Sequence, residues 1–282
     1  MELVVLSGKG GTGKTTIAAS LSELAGDIFR IDCDVDAPNL YLFYNGINIE
    51  ESDFIGGKKA IIDTSFCIKC GKCKEVCKFD AIYDYKVKSN FCEGCGTCLL
   101  VCPQNAINLI DEKAADTFIT KLNRGMISRA QMEIGSDGSG KLINYLRNKE
   151  KDFNVDNLLT IIDGSPGIGC SVISSITGSD AVLIVTEPTK SGLEDLSRVA
   201  KLCEHFEINT MVCINKYDIN ENITSEIVEF AKKKNLTLVG KIPFDDTVMK
   251  SIKELNPIIN YPDSIAGNAI KEMWENIKKY IF

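Results

Sequence analysis

The chain opens as an apolar strand, Glu2 to Leu6, runs through Ser7-Gly8-Lys9-Gly10-Gly11-Thr12-Gly13-Lys14-Thr15-Thr16, and continues as a helical stretch from Ile17 to Ala25. Few folds accept that order. The loop matches G-x-x-x-x-G-K-[ST], in which glycines let backbone N–H groups curl round phosphate oxygens at the positive end of a helix. Gly8, Lys9, Gly10, Gly11, Thr12, Gly13, Lys14, Thr15 and Thr16 are the expected nucleotide-binding residues, with Lys14 reaching the β/γ-phosphates and Thr15 ligating Mg²⁺. Gly8-x-Gly10-x-x-Gly13 also satisfies the dinucleotide fingerprint, with Asp32 and Asp34 about twenty residues on. The Lys14-Thr15 pair decides for a triphosphate, because a dinucleotide loop needs neither a lysine on a terminal phosphate nor a hydroxyl for Mg²⁺.

Further along, Leu158 to Asp163 is an apolar strand ending in an acid, followed by the turn Gly164-Ser165-Pro166-Gly167. This reads as a Walker B strand with its switch loop: Asp163 holds Mg²⁺ through water, and the Gly164 and Gly167 backbone follows the γ-phosphate. A second strand, Ile28 to Asp32, also ends in acids (Asp32, Asp34, Asp36) suited to Mg²⁺ and attacking water; the same carboxylates could instead cap a loop. Two later strands end in Asn215-Lys216-Tyr217-Asp218 and in Pro243-Phe244-Asp245, both expected base-recognition loops.

Eight of the twelve cysteines form two copies of one pattern, Cys67-x2-Cys70-x2-Cys73-x3-Cys77 and Cys92-x2-Cys95-x2-Cys98-x3-Cys102-Pro103. Three thiolates spaced every third residue wrap one face of a cubane, and the fourth of each run completes the cluster held by the other. Cys67, Cys70, Cys73 and Cys102 are therefore assigned to one [4Fe–4S] cluster, and Cys92, Cys95, Cys98 and Cys77 to a second. The first run departs from the pattern in having Lys78 where a proline is expected. Structural zinc favours separated Cys pairs or mixed Cys and His ligands, and the lone histidine, His205, lies far away. Disulfides need an oxidising compartment, yet the start Met1-Glu2-Leu3-Val4 shows no basic segment followed by an apolar one.

At 282 residues, 44% hydrophobic and 25% charged, the chain has room for one large core and a small inserted module. The longest apolar runs are strand-sized, so no transmembrane segment is expected, and the protein is placed in the cytoplasm. A formal charge of −7 disfavours nucleic-acid binding. Residues 58–90 reverse that sign, with eight lysines (Lys58, Lys59, Lys69, Lys72, Lys74, Lys78, Lys86, Lys88) against Asp63, Glu75, Asp80 and Asp84. Positive charge there stabilises a reduced anionic cluster, docks an acidic redox partner, or forms a solvated face.

The second lysine of the loop, Lys9 in the form K-G-G-x-G-K-T, resembles the deviant Walker A motif of the MinD/ParA-type ATPases. The chain is similar over its full length to the MinD-like subgroup with an inserted ferredoxin domain, and more loosely to Mrp-type scaffold ATPases and nitrogenase iron protein. The resemblance implies that Lys9 contacts nucleotide across a dimer interface, that Asp34 orients the attacking water, that Asp32 sits behind Mg²⁺, and that Asn215 reads adenine. Lys9, Lys14 and Asp34 are then the catalytic residues. Asn215-Lys216-Tyr217-Asp218 also fits the guanine motif of GTPases, so ATP and GTP both remain open from these residues. The paired cysteines of the scaffold type are absent after Cys213.

The expected architecture is an α/β, P-loop NTPase-type mostly parallel sheet covered by helices, formed by residues 1–57 and 112–282, with a bacterial-ferredoxin-like α+β domain at 58–111 entered at Gly56-Gly57. Residues 179–186, 210–214 and 238–242 read as strands and 192–205, 223–234 and 264–280 as helices. Residues 112–150 carry no clear pattern, and Gly135 to Lys141 reads as a loop without a preceding buried strand. The final helix has an apolar stripe (Ile265, Ile270, Met273, Trp274, Ile277, Ile281) that packs on the sheet or binds a membrane. Cys33, Cys170, Cys203 and Cys213 include ordinary buried thiols, with Cys170 beside the switch, and His205 has no chemistry. The expected activity is ATP hydrolysis coupled to electron transfer or cluster delivery, by a homodimer or a heterodimer with a paralogue, for a redox or metalloprotein client. The alternatives are a docking switch without turnover and a plain ferredoxin-like carrier. The short stretch between Pro38 and residue 58 is the expected link from switch to cluster module.

Overall fold

Leu3, Val4, Val5 and Leu6 are wholly buried because their strand, β1 (Glu2–Ser7), lies inside a sheet with neighbours on both edges. The computed structural model describes residues 1–153 and 159–281. After β1 come α1 (Lys14–Ala25), β2 (Phe29–Asp32), β3 (Gly46–Ile62), α2 (Lys72–Val76), β4 (Ile82–Tyr83), β5 (Lys86–Val87), α3 (Thr97–Leu100), β6 (Ile107–Leu122), β7 (Met126–Met132) and α4 (Ser139–Asn148). Then follow β8 (Thr160–Asp163), α5 (Cys170–Ile176), β9 (Ala181–Thr186), α6 (Lys190–His205), β10 (Asn209–Asn215), α7 (Glu221–Lys233), β11 (Thr237–Ile242), α8 (Thr247–Lys253) and α9 (Ile265–Ile281). The strand order is β11-β10-β9-β1-β8-β2-β7-β6-β3. The pairs β1 with β8 and β9, β10 with β9 and β11, and β2 with β7 and β8 are all parallel, which helical crossovers require. The fold is thus α/β, with a mostly parallel sheet covered by helices. Leu158, the expected first residue of the Walker B strand, lies outside the described residues.

The chain divides into two compact units, one of Met1–Glu51, Thr117–Gln131 and Ser139–Phe282, the other of Ser52–Asp116 and Met132–Gly138. In the first, the stripe of α9 buries Ile270, Met273, Trp274, Ile277 and Ile281 against Leu21, Val239 and Ile242. That stripe packs on the sheet rather than facing outward, although Ile265 is exposed. No helix among the described residues is long and apolar enough to cross a membrane.

The second unit has a small core of Ala60, Cys73, Ile82, Cys98 and Ile107. Its backbone repeats every 25 residues. Lys69 and Gly94, Gly71 and Gly96, and Asp80 and Asn105 take left-handed φ at matching places in the two cysteine runs. Glycine, Asn and Asp enter that region most readily, which explains every one of these positions except Lys69. Lys78 therefore stands where Pro103 stands in the second run without changing the trace around it.

Two expectations need correction. Gly56 and Gly57, expected as the entry to the inserted module, lie inside the continuous strand β3, and a Cβ on Gly56 would come within 2.5 Å of the Ala114 Cβ. Gly56 marks a close approach of neighbouring chain, whereas a Cβ on Gly57 would meet nothing within 4 Å. Residues 112–150 are also far from patternless. They supply most of β6, all of β7 and α4, so Gly135 to Lys141 does follow a strand, and its last three residues already belong to α4.

Candidate functional site

Gly13, at φ 87°, turns the loop directly into α1, whose first residue is Lys14 and whose N-terminus has no side-chain cap. The amides of Lys14, Thr15 and Thr16 therefore face outward as unpaired donors, an arrangement that favours an anion. Gly8 permits the loop to pass α6, since a Cβ there would stand 2.2 Å from the Asp195 Cβ. Gly164 and Gly167 tie the second loop to β1 through N–H bonds to the Val5 and Ser7 carbonyls.

Strand register brings the acids together. Asp32 on β2 pairs with Asp163 on β8, and Asp163 also faces Val5 of β1. Lys14, 6% exposed, places Nζ 2.6 Å from Asp163 Oδ1 and 3.8 Å from Asp34 Oδ2. Burial pulls the Lys14 ammonium down, but Asp163, Asp34 and Asp32 outweigh it and leave its pKa raised. Asp32 is fully buried and accepts the N–H groups of Asp34 and Leu40 at 3.1 and 3.0 Å. Burial, reinforced by the Asp163 charge, pushes its carboxyl up to about 8. Burial also raises Asp34, against the pull of Lys14. Asp163 Oδ2 is buried with no hydrogen-bond partner, as is Thr12 Oγ1. A buried carboxylate oxygen left unpaired costs about 1–3 kcal/mol or more. A cation or its water beside Asp163 removes that cost, so the residues present fit Mg²⁺.

Lys9 is not gathered with these groups. Its Nζ lies 3.2 Å from Ser191 Oγ and 3.9 Å from Glu187, which also pairs with Lys216 at 2.7 Å. Asn215 and Pro243 line one cavity of about 250 Å³ together with Gly11, Gly13, Thr16 and Ile17. Asn215 Nδ2 donates to the Thr12 carbonyl at 2.8 Å, fastening the cavity to the phosphate loop. Sequence reasoning missed one part of that wall, Val248, Met249 and Ile252 on α8, because a seven-residue helix leaves too short a pattern. It also missed that Asp218 Oδ1 accepts the Phe244 N–H at 2.8 Å and so braces the loop of Pro243, Phe244 and Asp245.

In the second unit, Cys67, Cys70, Cys73 and Cys102 line one cavity and Cys77, Cys92, Cys95 and Cys98 line another. Ala106 N–H donates to Cys102 Sγ at 3.3 Å, and Ala60 N–H to Cys92 Sγ at 3.4 Å. All twelve cysteines are free, and among the described residues no three His, Cys, Asp or Glu side chains are drawn together into a single-ion site. Cys33, Cys203 and Cys213 are buried, whereas Cys170 begins α5 and is exposed. His205 ends α6 edge-on to Phe206.

An uncapped glycine loop, a buried lysine and three convergent carboxylates at the carboxyl ends of parallel strands define a P-loop nucleotide-binding protein. A family model described as the CobQ/CobB/MinD/ParA nucleotide binding domain matches residues 3–258, and the chain belongs to that family. It is 36% identical over 284 residues to Uncharacterized protein MJ0578 of Methanocaldococcus jannaschii, covering 100% of this chain and 98% of that one. It is 24% identical to an iron-sulfur cluster carrier protein of Pyrococcus abyssi, covering 98% and 85%. Among solved structures, the cell division ATPase MinD of Pyrococcus furiosus superposes with a TM-score of 0.61 at 20% identity, covering 99% and 98%. MinD of Pyrococcus horikoshii complexed with Mg-ADP gives 0.60 at 17% identity, covering 100% and 98%.

Proposed function

We propose that the chain is a Mg²⁺-dependent ATPase whose nucleotide state governs electron transfer through two resident [4Fe–4S] clusters. The observation that carries this reading is the partition of eight cysteines into two cavities, each lined by three residues of one run and the fourth of the other, on a chain that also holds a complete phosphate loop. Four sulfurs spread round a cavity suit the corners of a cubane, and the amide bonds to Cys92 and Cys102 stabilise thiolates. Residues 58–111 then form the ferredoxin-like domain.

Lys14 would leave Asp163 for the β/γ-phosphates, with Lys9 supplied across a dimer of like chains. Thr15 and Asp163 would hold Mg²⁺, backed by Asp32, and the ion would neutralise charge on the phosphates. Asp34, its proton affinity raised by burial, is suited to orient the attacking water. The cavity of Asn215 and Pro243 would take the base. Asp218 is engaged with Phe244 rather than turned to a ligand, which favours adenine over guanine.

Crossed ligation favours electron transfer over delivery, since releasing either cluster requires both cysteine runs to open. The name of the Pyrococcus abyssi relative supports delivery to a metalloprotein as the second reading. The test is anaerobic purification with iron, sulfide and ATPase assays on wild type and Lys14→Gln. Two cubanes' worth of iron and sulfide in both, with hydrolysis reduced about 100-fold or more in the variant, is expected. Zinc in place of iron and sulfide, or no affinity for ATP, overturns the proposal.

A further inference from the structure

Strands β3, β5 and β6 border a groove of about 580 Å³ in the second unit. Three of its lining residues also line the cysteine cavities. Ala60 and Val87 also line the cavity of Cys77, Cys92, Cys95 and Cys98, and Ile62 also lines that of Cys67, Cys70, Cys73 and Cys102. Ala60 is 4% exposed and its N–H bonds Cys92 Sγ at 3.4 Å, so β3, which borders the groove, is also in direct contact with that sulfur.

The rim is apolar and cationic. Ile61 and Ile110 are 42% and 47% exposed, and ten of the twenty-two exposed large apolar side chains among the described residues fall in this unit. Of these ten, Ile61 and Ile110 line the groove, and exposed apolar side chains rimmed by charge are a seat for a partner's apolar side chain. The acids of the β6 rim are already paired, Asp111 with Lys58 at 3.6 Å and Glu112 with Lys59 at 3.2 Å. Lys86, on the β5 rim, enters no ion pair among the described residues, and Lys88 faces the Tyr83 and Phe91 rings at 5.2 and 5.8 Å rather than an acid. The uncommitted charge is therefore positive and lies beside the apolar seat.

We infer that this groove docks a small acidic one-electron redox protein, which seats an apolar side chain between Ile61 and Ile110 and sets carboxylates against Lys86 and Lys88. The inference rests on the cluster reading above, because proximity to the sulfurs is what makes the groove a place for a redox protein.

The test uses the full chain, purified anaerobically, and a fluorescently labelled acidic flavodoxin as the probe. Anisotropy titrations compare wild type, Ile110→Asp and Lys86→Glu at low and high salt. Expected are binding by wild type that weakens as salt rises, and about tenfold or greater loss in each variant, with iron, sulfide and dithionite bleaching unchanged. Equal binding by wild type and both variants, no wild-type binding, or indifference to salt overturns the inference. So does wild-type self-association that Ile110→Asp abolishes, because the occupant is then a second copy. Absence of iron and sulfide with flavodoxin binding intact would remove the cluster reading and leave the groove.

Discussion

Replacing Asp32 by Asn should stabilise the nucleotide-free chain while disabling it. Asp32, Asp34 and Asp163 crowd one lysine, and Asp32 is fully buried, its carboxyl pushed up to about 8 by that burial and the Asp163 charge. Between pH 4 and pH 8 the folded chain keeps a proton that the unfolded chain releases, so stability falls as pH rises through that window and levels off above it. At 1.36 kcal/mol per pKa unit, the loss between pH 4 and pH 7 amounts to about 4 kcal/mol. Asn cannot ionise and avoids that loss. It keeps one acceptor for the Leu40 and Asp34 amides but turns an NH₂ toward the other, at a cost of about 1–2 kcal/mol. The net gain at pH 7 is about 2–3 kcal/mol, or about 5–10 °C in Tm for a domain of this size. Near pH 4 the sign reverses and the variant is the less stable protein. Calorimetry without nucleotide and with EDTA, from pH 4 to pH 9, reads both limbs. A variant Tm below wild type at pH 7–8, or a wild-type Tm that rises from pH 5 to pH 8, would refute the reasoning.

The remaining expectations concern ligation, base and loop. Cys102→Ser should remove the cluster held by Cys67, Cys70 and Cys73 and spare the other, and Cys77→Ser the reverse; iron content halved in each, with distinct spectra, checks the crossing. Asp218→Ala frees the Phe244 amide and should weaken ATP by about tenfold without creating GTP preference, because a lost charge-assisted hydrogen bond is worth about 1.5–3 kcal/mol; calorimetric titration of both nucleotides decides. Gly8→Ala drives a methyl into Asp195 and should abolish ATP binding while leaving iron and sulfide at wild-type levels.

What the sequence disclosed and what it hid divide along a physical line. The phosphate loop, the acids at 32, 34 and 163 and the cysteine runs were legible because each is a short segment whose residue types must sit at fixed spacing. Adjacent parallel strands then carried Asp32 opposite Asp163 without further specification. The hidden parts depend on a neighbour distant in the chain. Gly56 looks like punctuation until Ala114 stands beside it, and β6 hides its strand period because Ala114, Ala115, Thr117, Ile119 and Thr120 are buried on both faces. Asp218 presents a guanine-reading motif whose carboxylate is claimed by an amide 26 residues away.

The 25-residue repeat of left-handed backbone is kept on either side of Lys78, where the second run has Pro103. The trace past Cys77 is set by Asp80, as that past Cys102 is set by Asn105, and proline merely stiffens a path that φ at those residues already determines. Cys77 lines its cavity with Cys92, Cys95 and Cys98 for that reason. Asp80→Val, which resists left-handed φ, should therefore damage the cavity of Cys77 more than Lys78→Pro does, since the proline variant only copies the second run. Iron content and cluster absorption of the two variants test this, and equal loss in both would place the determinant at residue 78 instead.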